Sequence, residues 1–590
     1  MDGQEHQKTL SGGAFLVGRA EPVDVFTPED LTEEHRMIRK AAADLAAREI
    51  VPRADEIEHQ NWDVHRALLR KLGAVGFLAP DLPEEYGGGG MDRLTSLVIG
   101  EQISVGSFAV TYGAHIGIGT LPIAFFGTEA QKRRYLPAMA RGELIGAYAL
   151  TEPTAGSDAL SIRTRAVRSP DGAHYLLSGQ KQFITNSALA DVFVIYAKVD
   201  GEHFTAFIVD RGTEGLGIGA EEQKMGVKGS STCSLFLENA KVPVDNLLGE
   251  IGKGHRIAFN ILNLGRFKLG AWCAGAAKHV LRLASGYALE RKQFQKPIAE
   301  FGLIRQKLAQ IAAGLYATES MVYRTGGLVE TAIGGIRGSE EVTRALEEYA
   351  IESSIAKVFA SEMLDRAADE MVQIYGGYGY IEGYPAARAY RDARINRIWE
   401  GTSEINRMLI VDMLAKRAMR GRLSLMPAIQ QVVGSLTSPG ALNDSAADGP
   451  LAEEAAIVDA IRKAALFAAG VAVQKYLDQL EHHQEILAWI ADLVMEVFAT
   501  ESSVMRARKA RGRGDPRAEI FDALARAYVH GALPRVEMTT RHVLSATDEG
   551  DTLRTELAGL RRLLRFTPAN PVTLQRAVSA YVLQAGGYPL

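Results

Sequence analysis

Hydrophobic and polar positions change their period twice along this 590-residue chain. Residues 1 to about 28 show weak periodicity and many polar side chains, which predicts an irregular arm. Thr27-Pro28-Glu29-Asp30 then reads as a helix start: a capping hydroxyl, a proline at the first helical position and acids in the first turn. Leu31 to Ile50 continues helically, and helical spacing resumes from Met91 to about Arg141 after a loop from Asp81 to Gly90. From Arg163 to Val244 the period shortens to two. His174 to Leu177, Asp191 to Ala197, His203 to Val209 and Ser231 to Leu237 read as strands, with Asp171-Gly172 and Asp200-Gly201 as hairpin turns. A compact antiparallel domain of roughly 100 residues is expected, with a larger mixed sheet as the alternative. Helical spacing returns from Gly254 to Arg417. Ser435 to Pro450 is a linker by composition, and Leu451 to Leu544 is again amphipathic and helical. No repeat of 20 to 50 residues is present.

Composition narrows the class. At about 150 residues per domain the length predicts roughly four domains, and 47% hydrophobic residues argues against bulk disorder. A net charge of −5 argues against general nucleic-acid binding, so no nucleic-acid partner is expected. Two cysteines, Cys233 and Cys273, can build neither a disulfide scaffold nor a tetrahedral thiolate site, and no metal is expected. The longest apolar run, Ala464 to Val473, is too short to span a bilayer. The N-terminus resembles neither a secretory signal nor a transit peptide. A cytoplasmic, bacterial-type protein is the expectation.

Several chemical signals are weak. Tyr375-Gly376-Gly377-Tyr378-Gly379 looks like a dinucleotide loop but follows a helix rather than a strand. Gly249 to Gly254 lacks P-loop spacing, and His482-His483 has no nearby partner ligands. Three segments say more together. Ala149 to Asp158 (Ala-Leu-Thr-Glu-Pro-Thr-Ala-Gly-Ser-Asp) lies where helix gives way to strand; small and hydroxyl residues there admit a polar ligand to the backbone, or form an ordinary capped turn. Arg291-Lys292-Gln293-Phe294 closes a long helix; an arginine beside an aromatic suits a diphosphate with an attached base, or is a surface Arg and a core Phe. Arg388, Arg391, Arg394 and Arg397 lead into Ile398-Trp399-Glu400-Gly401-Thr402-Ser403-Glu404. A carboxylate after two large apolar residues can be a general base with raised basicity. Alternatively, Glu400 pairs with one of those arginines.

The combination resembles the acyl-CoA dehydrogenases, from about residue 28 to the C-terminus. It is most similar to the very-long-chain type, through Asn263 to Phe267, Phe301 to Ile304 and the helices beyond residue 450. The resemblance implies a multidomain α+β fold: an arm (1–28), an N-terminal α-helical domain (29–148), a middle antiparallel β-domain (149–252), a C-terminal four-helix catalytic domain (253–417), a linker (418–450) and an α-helical extension (451–590). It implies FAD as cofactor and Glu400 as catalytic base. In some members the base comes from the helix position that is Gly265 here, and glycine cannot serve. It implies that Tyr148, Thr151, Ser157, Phe183, Ile184 and Thr185 line the flavin. Arg291, Phe294, Gln373, Gly376 and Gly377 would reach the diphosphate and adenine across a dimer interface, with Thr402 and Glu404 near the other end. Ser157, Asn263, Arg266 and Gly401 would border the acyl-CoA. Phe183 stands where many members have Trp, Gln295 where Gly is usual, and Gly383 where an acid is common.

The chemistry implied is removal of an α-proton by Glu400 with hydride transfer from Cβ to the flavin, the thioester oxygen being held by a ribityl hydroxyl and the backbone N–H of the base. The product is a trans-2-enoyl-CoA, and electrons pass to an electron-transfer flavoprotein. An acyl-CoA oxidase using dioxygen and a non-catalytic scaffold with the same fold are the alternatives. Ala109, Gly113 and Gly117 recur at i, i+4 and i+8, so a small-residue helix face either floors a deep pocket for long chains or makes a tight helix contact. The extension is similar to one that replaces a second dimer in tetrameric relatives, which implies a homodimer. Lys416, Arg417, Arg420 and Arg422 precede apolar Leu423 to Leu436, so residues 416–436 either touch a membrane peripherally, at its inner face, or pair internally.

Overall fold

The computed structural model describes residues 11–334, 339–437 and 449–590. The first ten residues of the arm and residues 438–448 of the linker lie outside the described residues. Thr27 caps as expected, in a box with Asp30, but closes a single 3-10 turn, Pro28–Asp30. Leu31 then turns inward to 2% exposure, and the α-helix opens at the next cap, Thr32, whose hydroxyl accepts from the His35 N–H at 3.2 Å. Helices up to Glu129–Ala140 complete the first domain. The stretch Phe108–Phe126 within it is long and apolar enough to cross a membrane, although polar residues interrupt it in the sequence. It is 67% buried inside the protein and reads as a core helix of the domain.

Eight strands form the middle sheet: β1 (Gly146–Ala149), β2 (Arg165–Arg168), β3 (His174–Thr185), β4 (Val192–Val199), β5 (His203–Asp210), β6 (Leu216–Glu221), β7 (Thr232–Pro243) and β8 (Leu247–Leu248). The order is β6-β7-β3-β2-β4-β5-β8, with β1 also on β4. The sheet is mixed rather than antiparallel, because β1 and β2 both run parallel to β4. Alternation survives in β3 and β7, shifted where the pairing between them is irregular, but not in β4 and β5, which are buried on both faces. Phe193, Ile195 and Phe207 enter the core of the sheet, while Val194, Tyr196 and Phe204 pack with side chains of the helical domains.

Gly254–Glu290, Gly302–Ile333, Ala350–Tyr375 and Ser403–Met419 are the long helices of the next domain. The extension adds Ala452–Tyr476, Gln484–Gly512, Ala518–Thr547, Gly550–Leu563 and Pro571–Ala585. It is fused to the body: Ala507, Phe521 and Val578 share one core with Leu308, Leu315 and Ala360. The arm joins the same construction. Phe15, Leu16 and Val25 are buried with Ile461, Phe498 and Val529, and the Phe15 and Phe498 rings lie 4.8 Å apart. Arg462 donates to the Phe15 carbonyl at 2.9 Å, and Lys509 to that of Val25 at 2.7 Å. Arg506, 1% exposed, bridges Glu29 and Glu319 at 2.7 Å each.

Two expectations change here. Arg417 is not part of a basic surface: it is buried, ion-paired to Glu348 at 2.6 Å and hydrogen-bonded to the Gly12 carbonyl. Lys416 pairs with Asp412, and Leu423, Ile429 and Val432 point into the protein core from Leu425–Thr437 and the turn before it. Likewise, Gly113 does not floor an acyl pocket. A Cβ there would lie 1.9 Å from the Trp272 ring, and one at Gly100 would lie 2.3 Å from the same indole. The three-residue face is itself broken, because His115–Gly119 is a π-turn. Only at Gly117, which is buried, does a Cβ position meet no atom within 4 Å.

Truncating Phe15 to Ala should weaken docking of the arm by about 3 kcal/mol. Amide hydrogen exchange should then accelerate across residues 11–31 while the sheet stays protected; unchanged exchange would show that the arm is held without its apolar anchor.

Candidate active site

Glu400 follows the 3-10 turn Ile395–Arg397 and precedes the helix Ser403–Met419, which Thr402 caps by accepting from the Ile405 N–H at 3.2 Å. Between these elements the chain reverses through two left-handed residues, Glu400 at φ 56° and Gly401 at φ 79°. Such a conformation is uncommon and strained for a side-chain-bearing residue, and persists only when its surroundings impose it. Arg266 Nε donates to the Glu400 carbonyl at 3.1 Å. Asn406 Nδ2 reaches the carbonyls of Glu400, Gly401 and Thr402 at 3.3, 2.8 and 3.0 Å. Lys357 Nζ donates to the Gly401 carbonyl at 2.7 Å.

The carboxylate faces the Gly254–Glu290 helix at Gly265, where a Cβ would come within 2.6 Å of Oε2. Gly265 therefore does more than lack a carboxylate of its own: its missing side chain makes room for that of Glu400. Oε2 is buried and has no hydrogen-bond partner among the described residues. Burial pushes Glu400 up to about 7, against the opposing pull of Arg266 and Lys357. The arginine ladder is engaged elsewhere. Arg388 pairs with Asp55 at 3.0 Å, Arg391 with Glu382 at 3.2 Å and Arg397 with Asp365 at 3.0 Å. The pairing alternative for Glu400 thus falls away for these three. Arg266 also donates to Asn263 Oδ1 at 2.8 Å, so Asn263 helps hold the guanidinium that reaches the turn carrying Glu400.

The loop from residue 150 to 164 leaves the sheet through a gap. β1 pairs with β4 at Val192 to Ile195 and β2 at Lys198 and Val199, so the two are halves of one interrupted strand. The loop is tied back by Gln182 N–H on the Thr151 carbonyl (2.9 Å) and by the buried pair Lys181–Glu152 (2.7 Å). This leaves Ser157 exposed at its tip and Thr151 half-buried. Tyr148 is buried, edge-on to Tyr196 at 5.1 Å between ring centroids, and close enough to Glu400 and Arg266 to feel their charge. A bulge in β3 places Phe183 in a left-handed conformation (φ 58°) with 57% exposure. Thr185 is half-buried, whereas the Ile184 side chain points into the sheet core at 2% exposure. Ile184 therefore cannot offer its side chain to a ligand on the Phe183 side.

A second group gathers elsewhere. Arg291 lies over the Tyr378 ring at 5.4 Å, and Tyr287 stacks on Tyr375 at 4.0 Å. Gln373, Gly376 and Gly377 are exposed, and Cβ positions at both glycines meet nothing. Phe294 and Gln295 form a turn with both φ values positive (52° and 66°), and Phe294 is 88% exposed. Gln295 thus adopts the left-handed geometry that a glycine would take more readily. Glu404 is exposed in the first turn of its helix. Bare aromatic rings, glycine-lined backbone and hydroxyls fit a flavin dinucleotide, which carries fused rings at one end and a base with diphosphate at the other. Lys357, Asn406 and the Lys181–Glu152 pair were not anticipated. The available signal was a lysine inside the apolar run Ile355 to Ala360.

Comparison with known proteins agrees with this layout. Residues 32–143, 147–240 and 252–415 match "Acyl-CoA dehydrogenase" N-terminal, middle and C-terminal domains, and 460–562 match a further C-terminal domain of that description. A "Probable acyl-CoA dehydrogenase" of Bacillus subtilis is 47% identical, over 98% of both chains. An acyl-CoA dehydrogenase from Bacillus anthracis, solved with FAD, superposes with a TM-score of 0.95 at 46% identity, covering 98% of this chain and 100% of that one. The human mitochondrial very-long-chain specific enzyme is 40% identical over 60% of this chain and 53% of its own length.

Activity should fall with an acid limb near pH 7, because the base form of Glu400 is lost as pH drops through about 7. Adding one methyl at Gly265 should leave folding intact but push the carboxylate aside, since a side-chain end can yield where backbone cannot. Gly265→Ala is expected to lower activity roughly a hundredfold; wild-type turnover in that variant would show that Glu400 is free to move.

Proposed function

The chain belongs to the acyl-CoA dehydrogenase family, FAD-dependent oxidoreductases acting on the CH–CH bond of an acyl-CoA, and on that premise we propose its particular reaction. Glu400 removes the α-proton of a long-chain fatty acyl-CoA thioester, and the product is the trans-2-enoyl-CoA of β-oxidation. The supporting observation is a carboxylate whose buried Oε2 has no hydrogen-bond partner among the described residues, raised to about 7 and held in a strained turn. When bound, FAD supplies the two-electron acceptor for the β-hydride, which no side chain can be. The backbone N–H of Glu400 serves the developing charge on the thioester oxygen. Thr151, Ser157, Phe183 and Thr185 line the ring end of the cofactor. Arg291, Phe294, Gln373, Gly376 and Gly377 take the far end, and Thr402 and Glu404 lie near the opposite one.

Two further features belong to this reading. A second copy of the chain completes the cofactor site, and the 88% exposed Phe294 on a protruding turn supports a homodimer. The open space beside buried Gly117 supports accommodation of a long acyl chain. Reducing equivalents leave to an electron-transfer flavoprotein.

Glu400→Gln should retain FAD and bind acyl-CoA, yet fail to bleach the flavin anaerobically; bleaching at the wild-type rate would remove Glu400 from the role. Across acyl-CoAs of graded length, the fastest bleaching is expected with long chains and should slow when Gly117 is replaced by Leu. A preference for four to six carbons would overturn the long-chain assignment.

A further inference from the structure

Lys357 lies in the middle of the Ala350–Tyr375 helix with no solvent exposure. Burying an ammonium is costly unless it is paired. Among the described residues, however, it makes no ion pair; its hydrogen bond goes to the Gly401 carbonyl at 2.7 Å. The groups around it explain why it remains useful there. Cys273, from the Gly254–Glu290 helix, is pushed up to about 12 by burial and stays a neutral thiol. Glu362, on the same helix as Lys357, is held by Arg407 at 2.7 Å. Arg266 faces the same space, its Nε bonded to the Glu400 carbonyl. Tyr148 stays protonated because burial raises it well above its ordinary value. The remaining anion is Glu400, and its carboxylate is the charge that Lys357 can balance.

We propose that Lys357 is a positioning residue for the base: its ammonium fixes the left-handed Glu400–Gly401 turn through the Gly401 carbonyl and supplies the charge that keeps the Glu400 carboxylate ionised. The inference rests on the reading of Glu400 as the base. Burial draws Lys357 down to about 8 and drives Glu400 up to about 7, and against that the charge of each pulls the other back toward its ionised form. Of the two cations near Glu400, Arg266 keeps its charge at any working pH, whereas Lys357 can titrate. A neutral residue at position 357 therefore leaves the base harder to ionise.

The test uses FAD-loaded, full-length protein with saturating acyl-CoA, following anaerobic flavin reduction from pH 5.5 to 9. In Lys357→Met and Lys357→Gln the acid limb should move up by about one pH unit, making reduction about tenfold slower at pH 6 and near normal above pH 8.5. Lys357→Arg, which keeps a cation, should restore the limb. FAD content and thermal midpoint check folding, and the Gln variant carries the comparison if the Met variant folds poorly. An unmoved acid limb, or the same loss of rate at every pH, would overturn the proposal. Glu400→Gln run in parallel separates the two ideas. If it reduces flavin normally, the base assignment fails; if it is inert while the Lys357 variants keep the wild-type limb, only Lys357 loses its role.

Discussion

A carboxylate with a buried oxygen that is given no hydrogen-bond donor becomes a stronger base, and maintaining that state constrains much of the chain. Glu400 holds it on a turn whose carbonyls are claimed by Arg266, Asn406 and Lys357, each on a different long helix. A fourth requirement is the empty position at Gly265. The four-helix domain is thus more than a support. Three of its helices each supply a group that acts on one strained reversal, and loosening any one relaxes the geometry that the others impose. Asn406 shows the economy of this: one side-chain amide gathers three successive carbonyls and so replaces part of the hydrogen bonding that a regular helix would supply.

The sheet serves the same end differently. Its two parallel pairings arise because one strand is cut into β1 and β2, and the cut is where the Thr151 to Ser157 loop emerges. Neighbouring strands stay continuous, so the loop is carried on a rigid frame without being part of it. The buried Lys181–Glu152 pair ties its root to β3, near the bulge that turns Phe183 outward.

Much of this was legible from the sequence, and the failures have physical causes. Helix-to-strand boundaries, the hairpin at Asp200-Gly201 and the importance of the Trp399-Glu400-Gly401 segment follow from local signals: period, turn chemistry and a glycine beside an acid. The N-terminal cap was displaced from Thr27 to Thr32 because burial of Leu31 overrode a valid local signal. The mixed sheet stood only as the alternative to an antiparallel one because pairing direction is a long-range property. Gly113 was misread because a small residue leaves room without saying for what, and Trp272, 159 positions away, takes the room. Lys357 escaped notice because its partner is a backbone carbonyl 44 residues distant, which no side-chain pattern reveals. The basic stretch at Lys416 to Arg422 misled for the opposite reason: its charges are visible, but the Glu348 carboxylate and the carbonyl that take up Arg417 are not.

The arm and the extreme C-terminus converge on one buried cluster. Arg506 holds Glu29 and Glu319, and the Tyr588 hydroxyl donates to Glu319 at 2.9 Å. The arginine that receives the arm is made more than 470 residues after it. During synthesis the arm must therefore wait, undocked, until the extension has appeared. Arrival of the extension, rather than completion of the domains between, is what lets the arm close onto the body.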